Sequence, residues 1–91
     1  MNNKQRKKLG AERARLESAH DIIESVRENL EEMYGDEQDK YDNLPEGLQD
    51  SEMGDKLKEI ADLLEDASYD LDSISSEISE VIEKIDEVIE I

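Results

Sequence analysis

The fold is decided by residues 53–88, MGDKLKEIADLLEDASYDLDSISSEISEVIEKIDEV, where apolar residues recur in alternating steps of four and three. This spacing is the heptad pattern of a coiled coil, whose a and d positions form one apolar stripe along a helix. The a positions are Leu57, Leu64, Leu71, Ile78 and Ile85. The d positions are Met53, Ile60, Ala67, Ile74, Val81 and Val88. The run exceeds five heptads, so it predicts one long helix that packs through this stripe.

The first half of the chain carries the same frame in a weaker form. Its apolar a and d positions are Leu9, Leu16, Ala19, Ile23, Val26, Leu30 and Met33. Three positions of the frame are polar instead, namely Glu12, Glu37 and Lys40. Glycine in a helix interior costs about 1 kcal/mol relative to alanine. We therefore expect a loosened stretch near Gly35, with a real break there as the alternative.

Residues 43–51, NLPEGLQDS, form the only strong interruption between the two periodic segments. Pro45 disfavours helical geometry at the residue before it, and Gly47 allows a tight turn. Asp50 or Ser51 is suited to cap the following helix, because a short polar side chain can accept from the free N–H groups of the first turn. These residues predict a turn.

The chain is therefore expected to be all-α, with residues 1–91 forming a single antiparallel two-helix coiled-coil hairpin. Helix 1 covers about residues 3–42, the turn residues 43–51, and helix 2 about residues 52–90. Two helices of equal length with one short connection favour this arrangement. Residues 1–15 hold six basic side chains and one acidic one, and antiparallel pairing places them beside the acidic last turns of helix 2. The rival is one long helix in a parallel dimer, which the turn residues disfavour.

Two helices offer one seam and enclose no core, so we expect the hairpin to pack against something else. Further apolar and aromatic side chains flank the predicted seam and widen its stripe. These predicted oligomer-interface residues are Ile22, Tyr34, Tyr41, Leu63, Ile82 and Ile89. A second copy that completes a four-helix bundle is the economical partner. The alternative is a monomer in which these residues only thicken one seam.

Composition excludes several function classes. The absence of cysteine excludes disulfides, thiolate metal sites and thiol catalysis. A net charge of −16 argues against direct binding of nucleic acid. No apolar run approaches the roughly 18–20 residues that span a bilayer, and no apolar stretch follows the basic start as in a signal peptide. We therefore expect a cytoplasmic protein that does not bind membranes.

No catalytic, cofactor or metal motif can be defended, so we expect no enzyme activity and no cofactor. His20 has Glu17 and Glu24 at helical spacing, but a solvated face explains this trio better than a metal site. Residues 66–77 mimic the acidic spacing of a calcium loop. Leu71 stands where that loop requires glycine and is also an a position of the heptad run, which rejects the calcium site.

Helix 2 carries a run of acidic residues without any base. Its members are Asp62, Glu65, Asp66, Asp70, Asp72, Glu77, Glu80 and Glu83. All of them avoid the predicted a/d seam. Like charges at i,i+4 spacing destabilise a helix by about 0.2–0.5 kcal/mol each, so the run does not serve helix stability. We predict that these residues bind a partner with a basic surface, and the alternative is that they only keep the chain in solution.

The charge density bears on the kind of partner. Residues 16–91 carry 26 acidic and five basic side chains. Two helices side by side form a rod about 58 Å long, so the net charge of −21 amounts to about one charge per 2.8 Å of rod, against one per 1.7 Å in duplex DNA. Two helices side by side also have roughly the width of a DNA duplex. A nucleic-acid-binding protein is therefore a candidate partner.

The turn YDNLPEGLQDSE (residues 41–52), followed by Gly54, resembles a stretch that recurs in short acidic helical-hairpin proteins of phages and mobile elements of Gram-positive bacteria. That resemblance implies a small accessory protein without catalysis, located in the cytoplasm of a bacterial host. It also implies a DNA-mimic inhibitor of a host nucleic-acid-binding or defence protein. The leading hypothesis is thus a non-enzymatic module that binds a basic protein surface. The alternative is a structural or assembly protein that self-associates.

Overall fold

The computed structural model describes every residue from Met1 to Ile91. Two long helices, α1 (Asn3–Asp42) and α3 (Glu52–Glu90), flank a single-turn helix, α2 (Glu46–Gln49). The long helices pack side by side in opposite directions and form a rod of 69 × 14 × 14 Å. The predicted all-α helical hairpin is confirmed. The short helix inside the connection was not expected from the sequence.

Local capping explains where the long helices begin. The Asn2 side chain accepts from the N–H of Gln5, and the Gln5 side chain accepts in return from the N–H of Asn2. At α3 the Ser51 hydroxyl oxygen accepts from the N–H of Gly54. Each cap gives a partner to an N–H group that has none within its helix. Of the two cap candidates for α3, Ser51 fills the position.

Helix α1 runs without interruption through Gly35, so neither the loosening nor the break expected there occurs. The space around this glycine is open, and an added Cβ would meet no atom within 4 Å. The long contact with α3 holds the two halves of α1 in line, which outweighs the modest propensity cost of one glycine.

The connection folds tightly against the start of α3. Pro45 stands before α2, and its carbonyl accepts from the N–H of Leu48 at 2.8 Å. The Leu48 carbonyl in turn accepts from the N–H of Ser51 at 3.1 Å. A Cβ at Gly54 would lie 2.7 Å from the Leu48 carbonyl oxygen and closer still to that of Gln49. Only glycine fits where α2 crosses the first turn of α3.

The seam between the long helices is rotated from the predicted one. The four buried residues of the chain, Gly54, Ala61, Ser68 and Ser75, lie seven apart and follow the e positions of the heptad frame. The d residues Ile60, Ile74 and Val81 remain more than 40% exposed. The prediction that a and d together form this seam is therefore wrong. Helix α3 meets α1 through a and e, because the small e side chains let the helices approach closely.

Helix α1 presents long side chains to this line of small residues. Its own e positions are all partly buried and comprise Arg6, Arg13, His20, Arg27, Tyr34 and Tyr41. Between Gly54 and Ser75, long side chains of α1 thus lie over short ones of α3, which fills this part of the seam without a conventional apolar core. Ala61 is the only apolar side chain that is buried, at 0% exposure.

Candidate functional site

Polar pairs between α1 and α3 follow one another along one side of the seam, where e residues of α1 meet b residues of α3. We call this series the polar ladder. Arg13 Nε donates to Asp86 Oδ1 at 2.5 Å, and seven residues further along α1 the His20 ring lies 3.2 Å from the Ser79 hydroxyl. A further seven residues on, Arg27 Nε lies 3.9 Å from Asp72 Oδ1. Each heptad forward on α1 thus matches one heptad back on α3. These pairs define a single antiparallel register.

Arg27 organises the middle of this ladder. Its guanidinium binds Glu24 at 2.8 Å and Glu31 at 2.6 Å. Both carboxylates also accept from α3, Glu24 from the Ser75 hydroxyl and Glu31 from the Ser68 hydroxyl. The hydrogen bond from Arg27, assisted by that from Ser75, lowers the pKa of Glu24. The same hydrogen bond with Glu24 raises the pKa of Arg27. The small e residues of α3 are therefore also the partners of an α1 charge cluster.

The lowered pKa of Glu24 predicts a pH-dependent contribution to stability. A carboxyl group whose pKa falls on folding stabilises the protein above its unfolded pKa, near 4.5. That contribution is lost as the pH falls through the folded value. We expect Glu24→Gln to lower the free energy of unfolding at pH 7 by more than it does at pH 3. Urea unfolding at both pH values measures this, and an equal deficit at pH 3 would contradict it.

The geometry around His20 does not support a metal site. Glu17 pairs with Arg13, and Glu24 pairs with Arg27, so the two carboxylates have other partners. No group of three His, Asp or Glu side chains is arranged to hold a metal ion. Residues 66–77 are continuous helix within α3 rather than a loop.

The eight acidic residues predicted to bind a partner divide into two groups. Three of them have partners: Asp62 pairs with Lys58 at 3.2 Å, Asp72 faces Arg27, and Glu65 faces Tyr34. The Glu65 carboxylate favours the protonated form of the Tyr34 hydroxyl and so raises its pKa. The other five are exposed and have no cation within 4.0 Å. We call them the acidic face of α3: Asp66, Asp70, Glu77, Glu80 and Glu83.

The six residues predicted as an oligomer interface also divide. Ile22 and Leu63 are exposed, at 65% and 62%. Ile82 and Ile89 share the e line of α3 with Ser68 and Ser75, which bond to α1. Tyr34 and Tyr41 lie on the e line of α1, and Lys58 Nζ of α3 stands 6.0 Å from the Tyr41 ring centroid. The structure gives these four residues a place at the contact within one hairpin.

Sequence reasoning missed the surface on the opposite side of the seam. There most apolar d residues of α3 and two of α1 are exposed, while the α1 d positions Glu12 and Lys40 are charged and Ala19 and Ala67 are partly buried. We call the following exposed residues the apolar face: Val26, Met33, Ile60, Ile74, Val81 and Val88. The signal that could have revealed it is the heptad of small residues Gly54, Ala61, Ser68 and Ser75, which marks the e line as the closer contact.

At the turn end, the apolar face opens into a groove of about 830 Å³. Met33 and Leu44 line one side, and Leu57, Ile60 and Leu64 line the other. Lys40 lies in this groove, where it pairs with Glu37 at 2.8 Å, and that bond raises the pKa of Lys40. The groove is a widening of the apolar face rather than a separate pocket.

The basic residues at the start of α1 are largely without partners. Arg13 is the only member that makes an ion pair with α3, whereas Arg15 pairs with Glu12 on its own helix. Lys4, Lys7 and Lys8 are exposed and make no ion pair. The expected pairing of this segment with the acidic end of α3 is therefore realised by the Arg13–Asp86 pair.

Comparison with known proteins found no relative of this chain. No protein-family model, curated protein or solved structure gives a significant match to this chain. None of the helices combines the length and the apolar character that crossing a membrane requires. The two surfaces described above are thus what the chain itself offers for a functional interpretation.

Proposed function

We propose that this hairpin is a non-enzymatic protein-interaction module whose acidic face of α3 binds a basic protein surface. The observation that carries the proposal is the set of five exposed carboxylates that make no ion pair within 4.0 Å. They make no contact that holds α1 to α3, and Asp66 and Asp70 repel each other across one helical turn. This repulsion destabilises the free helix, and the positive charge of a partner would offset it.

The spacing of these charges suits an extended partner surface. Asp66 to Glu83 covers about 26 Å of helix axis, so the five charges stand on average about 6 Å apart. One DNA strand carries a phosphate every 3.4 Å. The face is therefore a sparser version of a single DNA strand. We propose a nucleic-acid-binding protein as the partner, with this hairpin acting as a phage-type DNA mimic that occupies its groove.

Binding of this kind has a kinetic signature. Charges that remain at the surface accelerate the encounter of two proteins and are screened within about 8 Å at physiological ionic strength. We therefore expect fast association that weakens steeply as salt is raised.

The test compares two charge-reversed baits in capture from a bacterial lysate. The first changes Asp66, Asp70, Glu77 and Glu80 to Lys. The matched control changes the same number of exposed acidic residues on α1 to Lys, namely Asp21, Glu28, Glu32 and Asp39. Both variants have the same net charge, and circular dichroism checks that both remain helical.

We expect basic proteins that elute from the original bait in a salt gradient to be at least tenfold depleted on the α3 variant and retained on the control. The recovered protein is then purified, and its affinity for all three hairpins is measured directly. Equal losses on both variants would show that total charge acts rather than a face. Equal retention on both would exclude the acidic face as the binding surface.

A second candidate function, self-association of an assembly protein, is favoured by the exposed apolar face. The two functions do not compete for the same residues.

A further inference from the structure

We propose that the apolar face is covered by a second copy of this chain, packed antiparallel, so that two hairpins form a four-helix bundle. In this arrangement the turn end of each hairpin lies beside the free end of the other. The proposal does not depend on the binding of a basic partner, because it uses d residues, whereas the acidic face consists of c, f and g residues.

The first argument is surface area. The chain exposes 6,728 Å². A folded monomer of its mass, 10.4 kDa, exposes about 5,400 Å², so the hairpin has roughly 1,300 Å² in excess. One face of the rod, 69 Å by 14 Å, measures roughly 950 Å² in projection, above the ~800 Å² per partner of a standard stable interface. The face is thus large enough for a stable dimer.

The e line and the d line of α3 face in directions that suit a four-helix bundle. The e line of α3, which contacts α1, follows the d line by one residue, so the two lines lie about 100° apart around the helix. Each helix of a four-helix bundle contacts two neighbours at roughly a right angle. Helix α3 has one such neighbour on its e side, and its d side has none.

The apolar face includes residues of both helices, and it keeps the heptad period along α3, whereas the charged d positions Glu12 and Lys40 limit it on α1. Val26 and Met33 continue it on α1, opposite Ile60, Ile74 and Val81 on α3. A partner surface can pack its side chains between these residues only if its own apolar residues repeat every seven residues over a similar length. A second copy supplies both, and a two-fold axis makes each surface its own complement.

Charge selects the relative direction of the two copies. Residues 1–15 at the free end hold six basic side chains and one acidic one, whereas residues 36–55 around the turn hold eight acidic and one basic. Lys8 and Arg15 lie at g positions beside the stripe near the free end, and Asp36 lies at a g position near the turn. Residues 80–91 of α3 add five acidic side chains and one basic one to the free end, which is therefore nearly neutral, so the antiparallel dimer keeps the two strongly acidic turns apart. The parallel one brings two acidic turns together.

The first test measures the dimer dissociation constant by sedimentation equilibrium. One variant, Ile74→Lys with Val81→Lys, adds two charges to the apolar face. The matched control, Ser73→Lys with Ser76→Lys, adds the same charges to exposed positions on the outer side of α3. All four side chains are exposed in the hairpin, so each variant is expected to remain helical.

We expect the original chain and the control to form dimers and the apolar-face variant to dissociate at least 100-fold more readily. A control that dissociates as much as the apolar-face variant would overturn the proposal. So would an original chain that stays at 10.4 kDa at every concentration, since the face would then belong to a different protein.

The second test measures orientation with one spin label. The chain has no cysteine, so Gly47→Cys places a single label at the exposed turn. In the antiparallel dimer the two labels lie near opposite ends of a 69 Å rod, and we expect a distance close to that length. A dimer with its turns together would give about 30 Å or less and would overturn the orientation. A signal without dipolar coupling would overturn the dimer.

Discussion

Gly54→Ala is expected to destabilise the hairpin by about 3 kcal/mol, at the upper end of the cost of overpacking. The added Cβ would meet the carbonyl oxygens of Leu48 and Gln49, which belong to the backbone of the connection. Backbone atoms cannot move aside as the end of a flexible side chain can. The turn would have to separate from α3, which would also disturb the Ser51 cap.

The control for this prediction is the same substitution at Gly35, where an added Cβ meets nothing within 4 Å. Gly35→Ala is expected to stabilise the chain by about 1 kcal/mol, because alanine is the better residue inside a helix. Urea unfolding followed by circular dichroism, at one protein concentration, measures both. The account of the turn fails if Gly54→Ala is as stable as the original chain.

Ala61→Leu is expected to destabilise the hairpin by about 2 kcal/mol, whereas Ala67→Leu is expected to be tolerated. Ala61 is fully buried between the helices, so a larger side chain would force them apart. Ala67 is only partly buried and lies on the d line between the exposed Ile60 and Ile74, so a leucine there is less confined than at Ala61 and extends the apolar face. The two changes are identical in chemistry and lie on one helix.

This pair of variants also separates the observed seam from the one that the heptad frame predicts. With a seam of a and d positions, Ala67 would be the core residue and Ala61 would lie at its flank. The costs would then be reversed. Urea unfolding of the two variants therefore decides which line of α3 faces α1.

The helices and the turn were predictable because their causes are local. Pro45 and Gly47 interrupt the chain, Ser51 caps α3, and the apolar period continues for more than five heptads. Each of these features acts within a few residues, so the sequence shows it directly. The continuity of α1 at Gly35 was not predictable in this way, because the contact with α3 outweighs the local propensity.

The rotation of the seam depends on which of two adjacent lines permits the closer approach. Apolar spacing identifies the a and d residues but does not identify the direction of the partner helix. That direction follows from the small residues Ala61, Ser68 and Ser75 together with the long side chain of Arg27, whose partners Glu24 and Glu31 accept from the two serines. Hydrophobic periodicity leaves such polar contacts out of account.

The same rotation redistributes the predicted site residues. Glu65 and Asp72 lie at b positions, which an a/d seam would leave in solvent but an a/e seam brings beside α1. Tyr34 and Ile82 move from the flank of the predicted seam to the observed contact for the same reason. The acidic residues at c, f and g positions are unaffected, so most of the predicted acidic face persists.

In the proposed assembly, each closed hairpin covers the apolar face of another copy. Small-angle X-ray scattering tests this most directly, because one curve gives both the mass and the maximum dimension. We predict twice the chain mass of 10.4 kDa and a maximum dimension close to the 69 Å of one hairpin, since the copies lie side by side. A maximum dimension near 135 Å, the length of 91 residues in one helix at 1.5 Å each, would contradict the hairpin. A mass of 10.4 kDa at every concentration would contradict the second copy.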